Sequence, residues 1–178
     1  MIPAWPRVWA HRGGGRLAPE NTLAGIARAR ALGCQGVEFD VMLSADGVPV
    51  LIHDETVDRT TDGHGRVPEL SAATLAGLDA GCRHGPEWAG ERIPTLDQAL
   101  DAVLAGGLFL NLEIKPAAGN LVRRIRPHYR RAEQEGRTLV ATALASAADI
   151  DVTESELRVT LAPLSSPHRS KAVAALCA

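Results

Sequence analysis

A chain of 178 residues, 46% of them hydrophobic, can bury a real core and reads as one domain of ordinary size. Its formal net charge of −2 and pI of about 6.3 exclude a globally basic nucleic-acid binder or a protein drawn by charge to an anionic membrane, so any phosphate recognition must be local. Three widely spaced cysteines, Cys34, Cys82 and Cys177, exclude a disulfide framework and a CxxC metal knuckle, and they fit a reduced, cytoplasmic setting.

The first six residues hold two prolines and no apolar stretch of signal-peptide length, and no run of about 18 apolar residues follows. The expectation is a soluble intracellular protein without a membrane anchor. Strand-like and helix-like segments then alternate, the pattern of a parallel sheet with helical crossovers. Residues 7–12 predict a strand, with 8–10 buried, and Gly13-Gly14-Gly15 a loop. Asn21-Thr22 predicts a helix start, with Leu23, Ile26, Ala27 and Leu32 periodic and Gly33 as the stop. Residues 36–43 predict the next strand, Asp46-Gly47 a turn, 48–53 a third strand, and 58–65 a long polar loop in which Arg59 pairs with Asp58. Ser71 caps a short helix. After an irregular stretch over 81–92, Pro94-Thr95-Leu96 opens a helix ending near Gly106-Gly107, and 108–115 is the fourth strand.

The last third has weaker periodicity. Residues 121–135 predict an arginine-rich helix. Its Arg123, Arg124, Arg126, Arg130 and Arg131 read as a solvated face rather than a nucleic-acid surface, since Tyr129 alone is interleaved. Residues 138–144 fit strand or helix, and 145–178 are alanine-rich. Without a repeat or domain boundary, 1–178 is one domain, best defined over 7–116 and altered or truncated from about 117.

Four of the strand-like runs close on polar residues: His11-Arg12, Glu38-Phe39-Asp40, His53-Asp54 and Glu113-Ile114-Lys115. Core strands do not normally end in charges that point inward, so something at those ends must bind them. Residues two apart on a strand face the same way, which sets Val37, Phe39 and Val41 on one face and Glu38, Asp40 and Met42 on the other. Residues 108–115 repeat the device, with Leu110, Leu112 and Ile114 opposite Asn111, Glu113 and Lys115. Like charges that close raise each other's pKa unless a cation compensates. An all-oxygen set of three carboxylates suits Mg²⁺ or Ca²⁺, with Mn²⁺ admissible, better than zinc. His11 and His53 offer a general acid and a general base, Arg12 a fork of donors for phosphate oxygens, and Lys115 a second positive charge. These parts describe metal-assisted phosphodiester cleavage.

The runs AHRGGGRLAPENTLAGI, GVEFDVMLSADGVPVLIHDETVDRTTDGHG, IPTLDQAL and LNLEIKP, between residues 8 and 116, resemble the glycerophosphodiester phosphodiesterase family. The resemblance implies a TIM (β/α)8-type α/β barrel with its site at the C-terminal strand ends. It implies Glu38, Asp40 and Glu113 as ligands of one divalent cation, His11 and His53 as the acid/base pair, and Arg12 and Lys115 as the phosphate holders. The implied substrate is a small-molecule glycerophosphodiester, split to an alcohol and sn-glycerol 3-phosphate. In the implied route the neighbouring glycerol hydroxyl attacks phosphorus and water then opens the cyclic phosphate.

Taken singly these signals are ordinary. A Glu-x-Asp pair suits a solvated strand face, His53-Asp54 a turn, and Glu20-Asn21 a loop and helix cap. His64 suits a solvated loop, and His84, His128 and His168 the surface. Their joint order carries the resemblance. Eight strand–helix units need about 200 residues, so the barrel is expected to be incomplete at its C-terminal end; the segment TLAPLSS resembles the family's Ser-Phe strand without its phenylalanine. An open barrel exposes strand edges and could pair with a second copy. Two other functions remain: a non-catalytic remnant that still binds a divalent metal, and a TIM-barrel phospholipase of the phosphatidylinositol or sphingomyelinase D kind.

Overall fold

The computed structural model describes residues 6, 8–115, 139–143 and 160–161. The arginine-rich stretch, His128, His168 and nearly all of the alanine-rich tract lie outside these residues. In chain order the elements are β1 (Trp9–Ala10), α1 (Leu23–Ala31), β2 (Gly36–Leu43), β3 (Pro49–Leu51), α2 (Ala72–Gly77), α3 (Leu96–Gly106), β4 (Phe109–Ile114), β5 (Leu139–Ala143) and β6 (Thr160–Leu161). Short 3-10 turns at Val67–Glu69 and Pro86–Trp88 interrupt the long loops.

β1, β2, β4, β5 and β6 run parallel and neighbour one another in that order, and helices join the strands in the described portion. This is the expected α/β arrangement. The segment over 138–144, ambiguous as sequence, is a strand, because its backbone completes the ladder beside β4. β1 is shorter than predicted, and Val8 is 63% exposed rather than buried. Among the described residues β1 stands at the end of the strand order and pairs with β2 only from Trp9 onward, which leaves Val8 outside the ladder.

The third strand differs more. β3 lies antiparallel to β2, with Met42 opposite Val50, and is an arm off β2 rather than a stave. The turn at Asp46-Gly47 dictates this. Gly47 takes a left-handed φ of 75°, and the Ser44 N–H bonds the Val48 carbonyl, so the chain reverses at once. A parallel return would need a crossover of roughly a dozen residues.

Both long helices begin and end where local chemistry requires. The Thr22 hydroxyl accepts the Gly25 N–H at the start of α1. Thr95 and Gln98 form a reciprocal capping box on α3, and Gly107 ends it in the left-handed conformation. Such caps contribute about 1 kcal/mol each. Ile26 and Ala29 of α1 and Leu96, Leu100 and Val103 of α3 pack over Val37, Phe39, Val41, Leu110, Leu112 and Ile114. A second cluster gathers Val57, Val67 and Ile93 of the connecting segments and Leu75 of α2 around Met42, Val50 and Ile52, which anchors the 54–93 segment beside the other face of β2. No helix among the described residues is long and apolar enough to cross a membrane.

Candidate active site

The face of β2 turned away from the two long helices carries its acidic side chains. Asp40 stands opposite Glu113 in the parallel register, and Glu38 opposite Asn111. Since Glu38 and Asp40 are two apart, all three carboxylates share that face, and one oxygen from each lies within 4.8 Å of the others. Glu38 and Asp40 are 8% and 1% exposed, far drier than an ordinary surface pair. Burial pushes the Glu38 carboxyl up to about 7; the Arg12 N–H opposes this, the charges of Asp40 and Glu113 add to it, and Lys115 opposes.

Lys115, expected at the phosphate, reaches into this cluster. Its Nζ lies 2.8 Å from Asp40 Oδ1 and also bonds Glu113 Oε1. One ammonium thus partly offsets three carboxylates, the compensation that like charges at this spacing need.

His11 and Arg12 follow β1 directly. Since Ala10 is level with Val37, the next residue arrives level with Glu38, and His11 Nε2 lies 3.9 Å from Glu38 Oε2 while its ring stays exposed. Arg12 has a φ of 53°, a left-handed backbone strained by about 1–2 kcal/mol for a residue with a Cβ. In that conformation its N–H donates to Glu38 Oε2 at 2.9 Å. Its guanidinium reaches Glu20 through Nη1 at 3.0 Å, and its Nε lies 3.7 Å from Asp40 Oδ2. The turn can pack this tightly because Gly14 and Gly25 touch; a Cβ on Gly14 would lie 2.7 Å from the Ala18 Cβ.

The β2–β3 reversal brings His53 home. The Ile52 N–H donates to the Asp40 carbonyl at 3.1 Å, so the next residue emerges beside the carboxylate level of β2. Its Nδ1 is bound by Asp54 Oδ1 at 2.6 Å. That bond holds the tautomer in which Nε2 is the remaining nitrogen. His53 lines a small gap together with Glu20, Asn21 and Thr60.

Three residues read from the sequence as loop or cap belong to this centre. Asn21, held at φ 56°, donates Nδ2–H to Asp40 Oδ2 at 2.9 Å and accepts the Asp40 N–H at 3.1 Å. The neighbouring Thr22 caps α1, which leaves the Asn21 amide for this role. Glu20, expected only as part of the loop and helix cap, accepts a hydrogen bond from Arg12. Arg59 does not pair with Asp58; it bonds Asp54 and Glu20, while Asp58 bonds His64 and the Gly65 N–H. The carboxylates of Asp54 and Glu20 take all three of its donor nitrogens, which leaves none for Asp58. A signal for Asn21 was present: Asn tolerates the left-handed region, and one polar residue too many preceded the cap.

Among the described residues, two buried side-chain polar atoms have no hydrogen-bond partner: Arg12 Nε and Glu38 Oε1. Such orphans cost about 1–3 kcal/mol each. One is a cationic donor and the other a carboxylate acceptor, at one centre. The donor set therefore fits a divalent cation on the Glu38, Asp40 and Glu113 oxygens with an anion beside Arg12.

Five parallel staves with this acidic and basic grouping toward their C-terminal ends form part of a TIM-type α/β barrel, incomplete among the described residues, with an acidic cluster suited to a cation. The glycerophosphoryl diester phosphodiesterase family matches residues 11–159, and the chain belongs to that family. The match runs past Pro116, where the recognisable motifs stop. The chain is 48% identical over 108 residues to a glycerophosphodiester phosphodiesterase of Caldanaerobacter subterraneus, covering 61% of this chain and 44% of that protein. The solved structure of an Oleispira antarctica phosphodiesterase in complex with the product sn-glycerol-3-phosphate is 42% identical, with a TM-score of 0.72 over 78% of this chain and 57% of that one. A glycerophosphodiester phosphodiesterase of Agrobacterium tumefaciens is 31% identical, with a TM-score of 0.67 over 81% and 59%. The chain spans less than half the length of the curated relatives it matches.

Proposed function

We propose that this chain hydrolyses glycerophosphodiesters to an alcohol and sn-glycerol 3-phosphate with the help of one divalent cation, Mg²⁺ or Ca²⁺ first and Mn²⁺ also admissible. The observation that carries the reading is the pair of buried atoms without a hydrogen bond among the described residues, Arg12 Nε and Glu38 Oε1, beside a three-carboxylate cluster. A cation bound by Glu38, Asp40 and Glu113 would supply charge neutralisation of the phosphodiester. Arg12 supplies donors to phosphate oxygens, on the side where Nε is unsatisfied. Lys115 adds positive charge, divided between phosphate and the carboxylates it already meets. His53, with Nδ1 tied to Asp54, moves a proton at Nε2. His11, exposed and close to Glu38, moves the second proton, so that one histidine deprotonates the attacking oxygen and the other protonates the leaving alcohol. The free thiols of Cys34 and Cys82 support a reduced, cytoplasmic setting.

The test is release of glycerol 3-phosphate from glycerophosphocholine by the purified chain, with EDTA and then with Mg²⁺ or Ca²⁺, beside Glu38→Ala. Metal-dependent turnover lost in the variant supports the reading. Metal binding without turnover makes the chain a non-catalytic member, and activity only on intact lipid assigns it to the phospholipase class instead.

A further inference from the structure

We propose that Arg59 is a positioning residue that ties the two sides of the site together, holding His53 through Asp54 and Arg12 through Glu20. This rests on the roles proposed above for His53 and Arg12. One guanidinium makes all the connections. Its Nε donates to Asp54 Oδ2 at 2.5 Å, Nη1 to Glu20 Oε2 at 2.9 Å and Nη2 to Glu20 Oε1 at 2.7 Å. Each carboxylate then turns another contact to a site residue: Asp54 Oδ1 to His53 Nδ1 at 2.6 Å, and Glu20 Oε1 to Arg12 Nη1 at 3.0 Å. The result is one unbroken line of charge-assisted hydrogen bonds, His53–Asp54–Arg59–Glu20–Arg12.

An isolated surface ion pair would do little, and the Arg59 side chain is 48% exposed. Here the geometry is the exception that matters: a two-point fork on Glu20 and a third bond to Asp54 fix the plane of the guanidinium. The charges respond to that geometry. Hydrogen bonding to Arg59 holds the Asp54 carboxyl down at about 2 against partial burial, with His53 adding to the effect. Burial would raise Glu20, but the bonds and charges of Arg59 and Arg12 outweigh it and lower the carboxyl. Both remain anions at neutral pH, so Asp54 keeps accepting Nδ1–H of His53 and leaves Nε2 for proton transfer. Arg59 also joins distant parts of the chain, since Glu20 lies before α1 and Asp54 lies after β3. Both backbones are tied to β2 already, Arg12 through Glu38 and Ile52 through Asp40, so the link orients the side chains of His53 and Arg12 relative to each other.

The experiment reads the His53 ring directly, in the full 178-residue chain. Imidazole ¹⁵N spectra of histidine-labelled protein are recorded for the parent, Arg59→Gln and Arg59→Lys, with His53→Asn to assign the resonance. Arg66→Gln serves as control, because among the described residues Arg66 ion-pairs with exposed Glu55 and Glu69 and with no member of the site. The parent is expected to hold a single Nδ1–H tautomer at His53, and Arg59→Gln a mixture of both. Turnover of glycerophosphocholine should fall about 10- to 100-fold in Arg59→Gln through both kcat and KM, since the proton-transfer group and the phosphate clamp both lose their support. Arg59→Lys, which offers a point charge and no fork, should show the same changes in smaller measure, and it replaces Arg59→Gln if that variant unfolds. An unchanged His53 tautomer in the folded variant overturns the proposal, whatever happens to turnover. If the parent has no activity at all, the functional reading fails while the ring spectrum still decides the role of Arg59.

Discussion

The two faces of β2 share one backbone and have opposite economies. On one, Val37, Phe39 and Val41 are fully buried among apolar side chains of both long helices. On the other, Glu38 and Asp40 are nearly as dry, yet they face Glu113, and one Glu38 oxygen has no partner among the described residues. The first face lowers the free energy of folding by hydrophobic burial, worth about 1.5–3 kcal/mol for each large side chain. The second raises it by desolvating like charges. A strand that tolerates the second cost is held in place by the first, so rigidity comes from one side and chemistry from the other.

That contrast can be broken most forcefully from the apolar side. Phe39→Ala should cost about 3–5 kcal/mol of stability in urea unfolding, because Phe39 is fully enclosed and its cavity cannot collapse easily. A loss below about 1 kcal/mol would mean that this face is not the anchor.

The polar face should respond in the opposite sense. Glu38→Gln, assayed in EDTA at pH 8, should stabilise the protein by about 1–3 kcal/mol, since a neutral amide removes a buried charge facing two others. The same substitution should abolish the rise in Tm that Mg²⁺ or Ca²⁺ produces in the parent, a rise equivalent to about 2.7 kcal/mol at a hundredfold excess over Kd. Destabilisation in EDTA together with a retained metal response would refute the contrast.

Asn21→Ala should lose both bonds to Asp40, at a cost of about 1–3 kcal/mol for the buried groups left unpaired. It should also weaken the metal-dependent rise in Tm, by freeing Asp40 to rotate. Asn21→Asp, which keeps the shape but sets a fourth carboxylate beside the cluster, should be worse than alanine in EDTA and should recover with metal.

The smallest effect concerns Asp54, whose side chain is about a third exposed. Its folded pKa is depressed from the ordinary 3.8 to about 2. The stabilisation is therefore fully present above about 3.8 and disappears as pH falls through 2. In acid-unfolding titrations Asp54→Asn should follow a shallower slope than the parent across that window. Parallel slopes would show that the Arg59 and His53 contacts do not persist in solution.

Much of this arrangement was legible in the residues. Alternation alone put Glu38 and Asp40 on one face and Glu113 with Lys115 on another strand's polar face, because strand geometry has a period of two. Caps were legible for the same local reason: Thr22, Ser71 and Thr95 each accept a backbone N–H from within their own first turn. The direction of β3 is half legible: the Asp46-Gly47 turn is visible in the residues, but the antiparallel arm it makes is set by pairing with β2. Less legible were Glu20, Asn21 and Arg59. Glu20 meets Arg12 8 residues away, Asn21 meets Asp40 19 away and Arg59 meets Glu20 39 away as well as nearby Asp54, and no local rule in a loop pairs side chains at those separations.

By itself, then, the sequence determined the family, the alternation of apolar and acidic positions, and the ends of both long helices, all of which depend on neighbours within a turn or a strand. Only the tertiary structure decided that Lys115 enters the carboxylate cluster, that Asn21 clasps Asp40, and that Arg59 links Asp54 to Glu20. The reason is physical. A long polar side chain has many rotamers and several candidate partners, and the choice among them is made by the packing that brings distant backbone segments together.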